Sequence, residues 1–276
     1  MNFEIIKKKF DKDGFVKINN VIKKEDILRL QKTICYTFQK YKSFKIKKKL
    51  FDNANFHEAL IALRKDNPDS FGSFYDTIQS SINLYNIVAN KRLINIVSKI
   101  SGLSKENLSF NGENVRMDGP YDKKNSLGWH QDRAYYFQNR DGDKGLVCWI
   151  PLSKIFNELG PLEICKSSAK DGFIKVIRKK YKKKGYSPQF KINERMVKKY
   201  RKIRVLADLG DILLINKNTI HKSGKNTSKK FRFSLQIRFH DMSDKNYLPH
   251  KNTMIYNKYE INRMGNNGID ISDIQF

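Results

Sequence analysis

From Phe231 to Phe239 the chain reads FRFSLQIRF, with a large apolar side chain at every odd position and arginine, serine or glutamine at every even one. Successive side chains of an extended strand point to opposite faces, so this run makes a strand with one packed face and one polar face. Three more runs share the β texture: GLVCWIPL at 145–152, IRVLAD at 203–208 and GDILLIN at 210–216. Turn residues separate them, and from about residue 108 onward the spacing implies a β-sandwich or barrel.

The first hundred residues have a different period. In KKEDILRLQKTICYTFQKYK the apolar Ile27, Leu30, Ile34 and Phe38 recur at helical spacing, and INLYNIVANKRLINIVSKIS repeats the pattern. These are expected to be packing helices. The 276 residues suit one domain, with 1–105 as mainly helical support and 106–245 as the β core. A basic segment at about 170–202 interrupts the β texture and is expected to be an insertion or lid.

Lys and Arg number 55 against 28 Asp and Glu, a net charge of +27. Such a balance can steer nucleic acid, an anionic membrane surface or an acidic substrate toward the chain. The excess is mostly lysine, in company with many isoleucines and asparagines, the residues an AT-rich genome over-supplies. A nucleic-acid-binding protein is the rival from another class. It needs aromatics interleaved with the basic residues, and here Tyr181 and Tyr186 are the main examples, without a helix-turn-helix, finger or RNP-like signature. No apolar run reaches the roughly 18 residues of a membrane helix. The N-terminal MNFEIIKKKFDKDGF lacks the apolar core of a secretory signal, and a cytoplasmic location is expected. Cys35, Cys148 and Cys165 sit in apolar surroundings and read as buried, inert thiols.

The sharpest chemical signal is WHQD at 129–132. In extended backbone residues i and i+2 share a side, so His130 and Asp132 can present an imidazole and a carboxylate to one point. A metal that must also hold a substrate and dioxygen needs a third protein ligand on the same triangular face. Among five histidines, His57, His240 and His250 have no strand leading into them from the β-rich core, whereas His221 follows the strand and turn GDILLINKNTI. Arg232 lies on the polar face of the last strand and Ser223 stands two residues after His221. A guanidinium grips a carboxylate with two parallel hydrogen bonds and a hydroxyl adds a third, which suits an organic dicarboxylate.

Taken together, the opening FDKDGFVKINNVIKKEDILRL, the WHQD motif, VCWIPL leading to LGPLEI, and the closing GDILLINKNTIHKSGKNTSKKFRFSLQIRF resemble the phytanoyl-CoA dioxygenase-like Fe(II)/2-oxoglutarate oxygenases. The resemblance implies an α+β, mainly β fold with a double-stranded β-helix (jelly-roll, cupin-like) core and packing helices from the N-terminal third. It implies that His130, Asp132 and His221 hold Fe(II), that Arg232 clamps the far carboxylate of 2-oxoglutarate, and that Ser223 assists. Asn111 or Asn114, Tyr136 and Trp149 are the nearest matches to residues beside the co-substrate. By the same resemblance the chain uses O2 and 2-oxoglutarate, releases succinate and carbon dioxide, and hydroxylates a small-molecule substrate. A carboxylate at 132 argues against halogenation, since related halogenases have a small residue there. The expected substrate is an anionic metabolite or carbohydrate-type molecule, ahead of an acyl-CoA or lipid. CKSSAK replaces the Pro-Gly-Ser-His turn usual in relatives, and 170–202 has no counterpart, so the substrate side is where this chain departs.

Overall fold

Asparagine and serine set where the helices begin. Asn2, Asn53, Asn67, Ser81 and Asn90 each stand just before a helix, with a side-chain oxygen accepting from a backbone N–H of the first turn. The computed structural model describes residues 1–42, 51, 53–122, 126–136, 144–174, 176–179, 189–245 and 247. Its helices are α1 (Phe3–Asp13), α2 (Lys24–Gln39), α3 (Ala54–Asp66), α4 (Pro68–Gln79), α5 (Ile82–Val88), α6 (Lys91–Ser101) and the short α7 (Glu194–Val197). The strands are β1 (Phe15–Ile18), β2 (Leu108–Asp118), β3 (Leu146–Pro151), β4 (Leu162–Cys165), β5 (Ile177–Lys179), β6 (Gln189–Lys191), β7 (Lys202–Val205), β8 (Ile212–Asn216), β9 (His221–Lys222) and β10 (Arg232–Asp241).

Five strands form an antiparallel sheet in the order β1-β8-β3-β10-β2, and β7-β4-β9 form a smaller one. The larger sheet turns one face to the helices. There Ile27, Leu30, Ile34 and Phe38 of α2, with Phe56, Phe74 and Ile96, pack with Cys148, Ile150, Leu214, Phe233, Leu235 and Ile237. Its other face packs on the smaller sheet through Val147, Trp149, Leu213 and Ile215 against Ile164, Val205 and Ala207. The result is the jelly-roll arrangement of two facing sheets. Both faces of β3 and β8 are covered, which is why their sequences run apolar without alternation.

Several expectations are met and some are corrected. The apolar positions of α2 and the odd positions of β10 are buried as the periodicities require. "Mainly β" is too strong, because the helices hold more residues than the strands. The N-terminal third also supplies more than helices: Phe15–Ile18 forms the edge strand β1, paired with β8. Contrary to the expectation that no strand leads into His240, β10 runs through it to Asp241. The basic segment holds the β5–β6 pair and α7, while its lysine run at 180–184 and the tyrosines at 181 and 186 lie outside the described residues, as does His250. All three cysteines are buried, and burial pushes the Cys35 thiol up to about 12 and Cys165 up to about 11. Among the described residues no helix is long and apolar enough to cross a membrane.

Candidate metal centre and its cavity

His130 and His221 meet as a two-residue antiparallel bridge, each backbone N–H donating to the other's carbonyl at 3.0 Å. The bridge extends the smaller sheet beyond β9 and fixes the two imidazoles side by side, with ring centroids 4.3 Å apart. Gln131 is extended, so Asp132 emerges on the same side as His130 while Gln131 points the other way. Fully buried there, Gln131 donates to the carbonyls of Gly172 and Asn218 at 2.7 and 2.6 Å and accepts from Ile174 N–H at 2.8 Å. One side chain thus ties the WHQD strand to the turn before His221 and to the segment that follows CKSSAK.

The turn into His221 is fixed from two other directions. Thr219 Oγ1 donates to Gly14 O at 2.6 Å, and a Cβ at Gly14, where φ is +81°, would stand 2.6 Å from that hydroxyl. Only glycine ends α1 there without pushing the turn away. Ile220 N–H donates to the buried Ser168 hydroxyl at 2.8 Å, which itself donates to Cys165 O at 2.8 Å. The unusual CKSSAK turn therefore supplies a brace for the residue preceding His221.

The imidazoles are poised as ligands by their outer nitrogens. His130 Nδ1 lies 2.7 Å from Gly128 O and His221 Nδ1 lies 2.9 Å from Thr219 O. A carbonyl can only accept, so each Nδ1 carries a proton and each Nε2 is the ring nitrogen turned inward. Asp132 Oδ2 is buried without a hydrogen-bond donor, 3.2 Å from His221 Nε2. One ligand atom from each of His130, Asp132 and His221 falls within 4.8 Å of the others, all three residues buried. Burial, reinforced by the neighbouring His221, pushes the His130 imidazole down to about 3 despite the pull of Asp132. Burial alone would raise the Asp132 carboxyl, but Arg238, then His221 and His130, hold it well below the usual carboxylate range. Two imidazoles and a carboxylate with an orphaned oxygen are the donor set a divalent transition metal takes.

A cavity opens beside this trio, lined among others by Trp149, Ser223, Arg232, Gln236 and Arg116. Arg232 is 1% exposed. Its Nη2 donates to Asp118 Oδ2 at 2.7 Å and its Nη1 to Gly160 O, while Nε has no partner. Two of five N–H donors are thus committed, and the rest suffice for a bound carboxylate. Asp118 also accepts from Arg116 Nη2 at 3.2 Å. Burial opposes its ionisation, yet Arg232 and then Arg116 hold the Asp118 carboxyl below its usual range.

The remaining expected residues are spread wider. Asn114 faces Gln236 across the β2–β10 ladder and Asn111 faces Arg238. Three residues apart in a regular strand they would point to opposite faces; a bulge at this step puts both opposite inward residues of β10. Asn111 Oδ1 lies 2.7 Å from His240 Nε2. Tyr136 does not line the cavity: it is fully buried with its ring 4.5 Å from His240 and Lys217 Nζ 5.6 Å above it. Sequence reasoning missed Gln131, Arg116, Asp118, Gln236 and Arg238. For Gln236 and Arg238 the signal was present, since they continue the even-numbered polar face that contains Arg232.

The sequence model of a family described as phytanoyl-CoA dioxygenase (PhyH) matches residues 10–234. A search of curated proteins finds no match. Among solved structures, the fold is similar to that of the epimerase SnoN in complex with Fe3+, alpha ketoglutarate and nogalamycin RO, at TM-score 0.59 and 14% identity over 87% of this chain and 83% of that one. EvdO2 from Micromonospora carbonacea var. aurantiaca, complexed with 2-oxoglutarate, aligns at TM-score 0.56 and 15% identity over 89% and 94%. The carbocyclase SnoK from nogalamycin biosynthesis aligns at TM-score 0.56 and 14% identity over 86% and 83%.

Proposed function

The chain belongs to the phytanoyl-CoA dioxygenase family, and from that premise we propose that it is an Fe(II)- and 2-oxoglutarate-dependent oxygenase that hydroxylates a small anionic or carbohydrate-type molecule. The observation that carries this is the trio itself: two imidazoles locked with Nε2 inward and one carboxylate oxygen without a donor. His130, Asp132 and His221 would hold the iron, and Arg232 with Ser223 would take the far carboxylate of 2-oxoglutarate. When bound, the iron and its co-substrate supply the oxidising power, with O2 consumed and succinate and carbon dioxide released.

The chain's own residues do the positioning. The carbonyls of Gly128 and Thr219 fix the imidazole tautomers, and Gln131 keeps the two ligand-bearing segments in register. Val147, Trp149, Leu162 and Ile215 line the cavity with apolar surface, which limits water around the reacting carbon. The Asp118 carboxylate holds Arg232 in place while leaving N–H donors for a ligand. Hydroxylation is favoured over halogenation because the third ligand is the carboxylate of Asp132. SnoN is described as an epimerase and SnoK as a carbocyclase, so product mass is the discriminating measurement: hydroxylation adds one oxygen, epimerisation leaves the mass unchanged, and ring closure removes two hydrogens. An acyl-CoA or lipid substrate is the alternative within the family.

The test is anaerobic addition of Fe(II) and then 2-oxoglutarate to the metal-free protein. A weak visible charge-transfer band that needs both additions supports the proposal. A protein that binds neither would refute it.

A further inference from the structure

The proposed iron ligand Asp132 is gripped on one oxygen and left bare on the other. Oδ1 accepts from Arg238 Nη2 at 3.1 Å, from Arg238 Nε at 3.4 Å and from Gln236 Nε2 at 3.4 Å. Oδ2, on the His221 side, has no donor. Both donors come from the inward face of β10, 104 and 106 residues away from Asp132 in the chain.

The fold makes room for this grip. Where β10 passes Arg238, β2 carries one extra residue, and Gly112 in that bulge has φ +58°. A Cβ on Gly112 would collide with the Arg238 guanidinium. The left-handed conformation and the missing side chain are required at the same position, which lets the guanidinium lie across the strand and reach Asp132. Tyr135 covers it from another side, with the guanidinium carbon 5.6 Å from the ring centroid.

We propose that Arg238, assisted by Gln236, is a positioning residue that keeps Asp132 a one-oxygen ligand. A free carboxylate facing a divalent cation can chelate through both oxygens, and doing so would take up a coordination position that the 2-oxo acid or dioxygen needs. With Oδ1 saturated by a cation and an amide, only Oδ2 is available. Two effects of removing Arg238 then oppose one another at the metal. Loss of a nearby positive charge favours binding the dication, whereas loss of orientation disfavours it. The position taken by the second oxygen is withdrawn from the incoming ligands, and loss of the same positive charge disfavours the dianionic 2-oxoglutarate. The signature is therefore a split: metal affinity held or strengthened, co-substrate affinity lost.

This rests on the iron and 2-oxoglutarate reading above, and the experiment separates the two. Fe(II) affinity is measured anaerobically by calorimetry, and 2-oxoglutarate affinity by titrating the visible band, for wild type, Arg238→Met and Arg238→Lys. In Arg238→Met we expect the 2-oxoglutarate Kd to rise about ten-fold or more, with Fe(II) binding as tight as in wild type or tighter. Arg238→Lys, which keeps the charge and one donor, should recover most of the loss and remains informative if the methionine variant does not fold. Equal weakening of metal and co-substrate would mean a merely structural role and overturn the proposal, as would an unchanged titration in both variants. A wild-type protein without the band refutes the parent reading instead.

Discussion

Strands β8 and β10 both border β3 in one sheet and face opposite fates. β8 buries Ile212 and Leu214 against the helices and Leu213 and Ile215 against the smaller sheet, so it is dry on both faces. β10 buries Phe233, Leu235 and Ile237 on the helix side but turns Arg232, Ser234, Gln236 and Arg238 inward. At one end the inward polar face is as buried as the core, with Arg232 1% and Ser234 0% exposed, while Gln236 and Arg238 are partly exposed. Burying a guanidinium costs several kcal/mol unless partners meet it, and the partners here are Asp118 and Gly160 O for Arg232 and Asp132 for Arg238, while the Ser234 hydroxyl has none. The lesson is that β8 supplies stability and β10 supplies the polar lining of the cavity, although both rest on the same helical layer.

The largest break in that comparison comes from the proposed metal ligands, of which β10 holds Asp132. Asp132→Ala and His221→Ala should abolish the Fe(II) and 2-oxoglutarate band and all succinate release while the protein still melts cooperatively. Residual iron-dependent succinate in either would contradict the assignment. Leu214→Ala in β8 should do the reverse, costing about 2–5 kcal/mol in denaturant unfolding with the band intact below its melting temperature. Arg232→Lys should raise the 2-oxoglutarate KM roughly ten- to a hundred-fold, the worth of a charge-assisted hydrogen bond, with little change in metal affinity.

pH sharpens the contrast further. His130 and His240 are both pushed down to about 3, each chiefly by burial. Unfolded histidine takes up a proton below about 6.5 while these stay neutral in the folded chain, so the unfolded state binds more protons throughout the window. Stability of the metal-free protein should therefore be full above pH 6.5 and fall steadily as pH drops toward 3. The decrement caused by Leu214→Ala should be the same at pH 7 and pH 5, since its cross-strand neighbour Cys148 has a thiol that burial pushes well above its usual range. The smallest effect should come from the surface: Lys154 pairs with Asp208 at 3.4 Å with its side chain 74% exposed, and Lys154→Ala should change stability by at most about 0.5 kcal/mol.

What the chain's order of residues decides alone is local. Alternation at 231–239 fixes two faces, the 130/132 spacing puts an imidazole and a carboxylate on one side, and asparagines before apolar periods start helices. Each follows from the geometry of a few consecutive residues. Which polar face turns inward, and what meets it there, belongs to the tertiary structure. Arg232 finds Asp118 across 114 residues and Arg238 finds Asp132 across 106. The bulge at Gly112 brings Asn111 and Asn114 opposite inward positions that a regular strand would have split between two faces. Side-chain periodicity tells a strand which residues share a face, but register, bulges and the partner strand are set only when distant segments pack. The buried charges of this cavity are stable only because all of those contacts form at once.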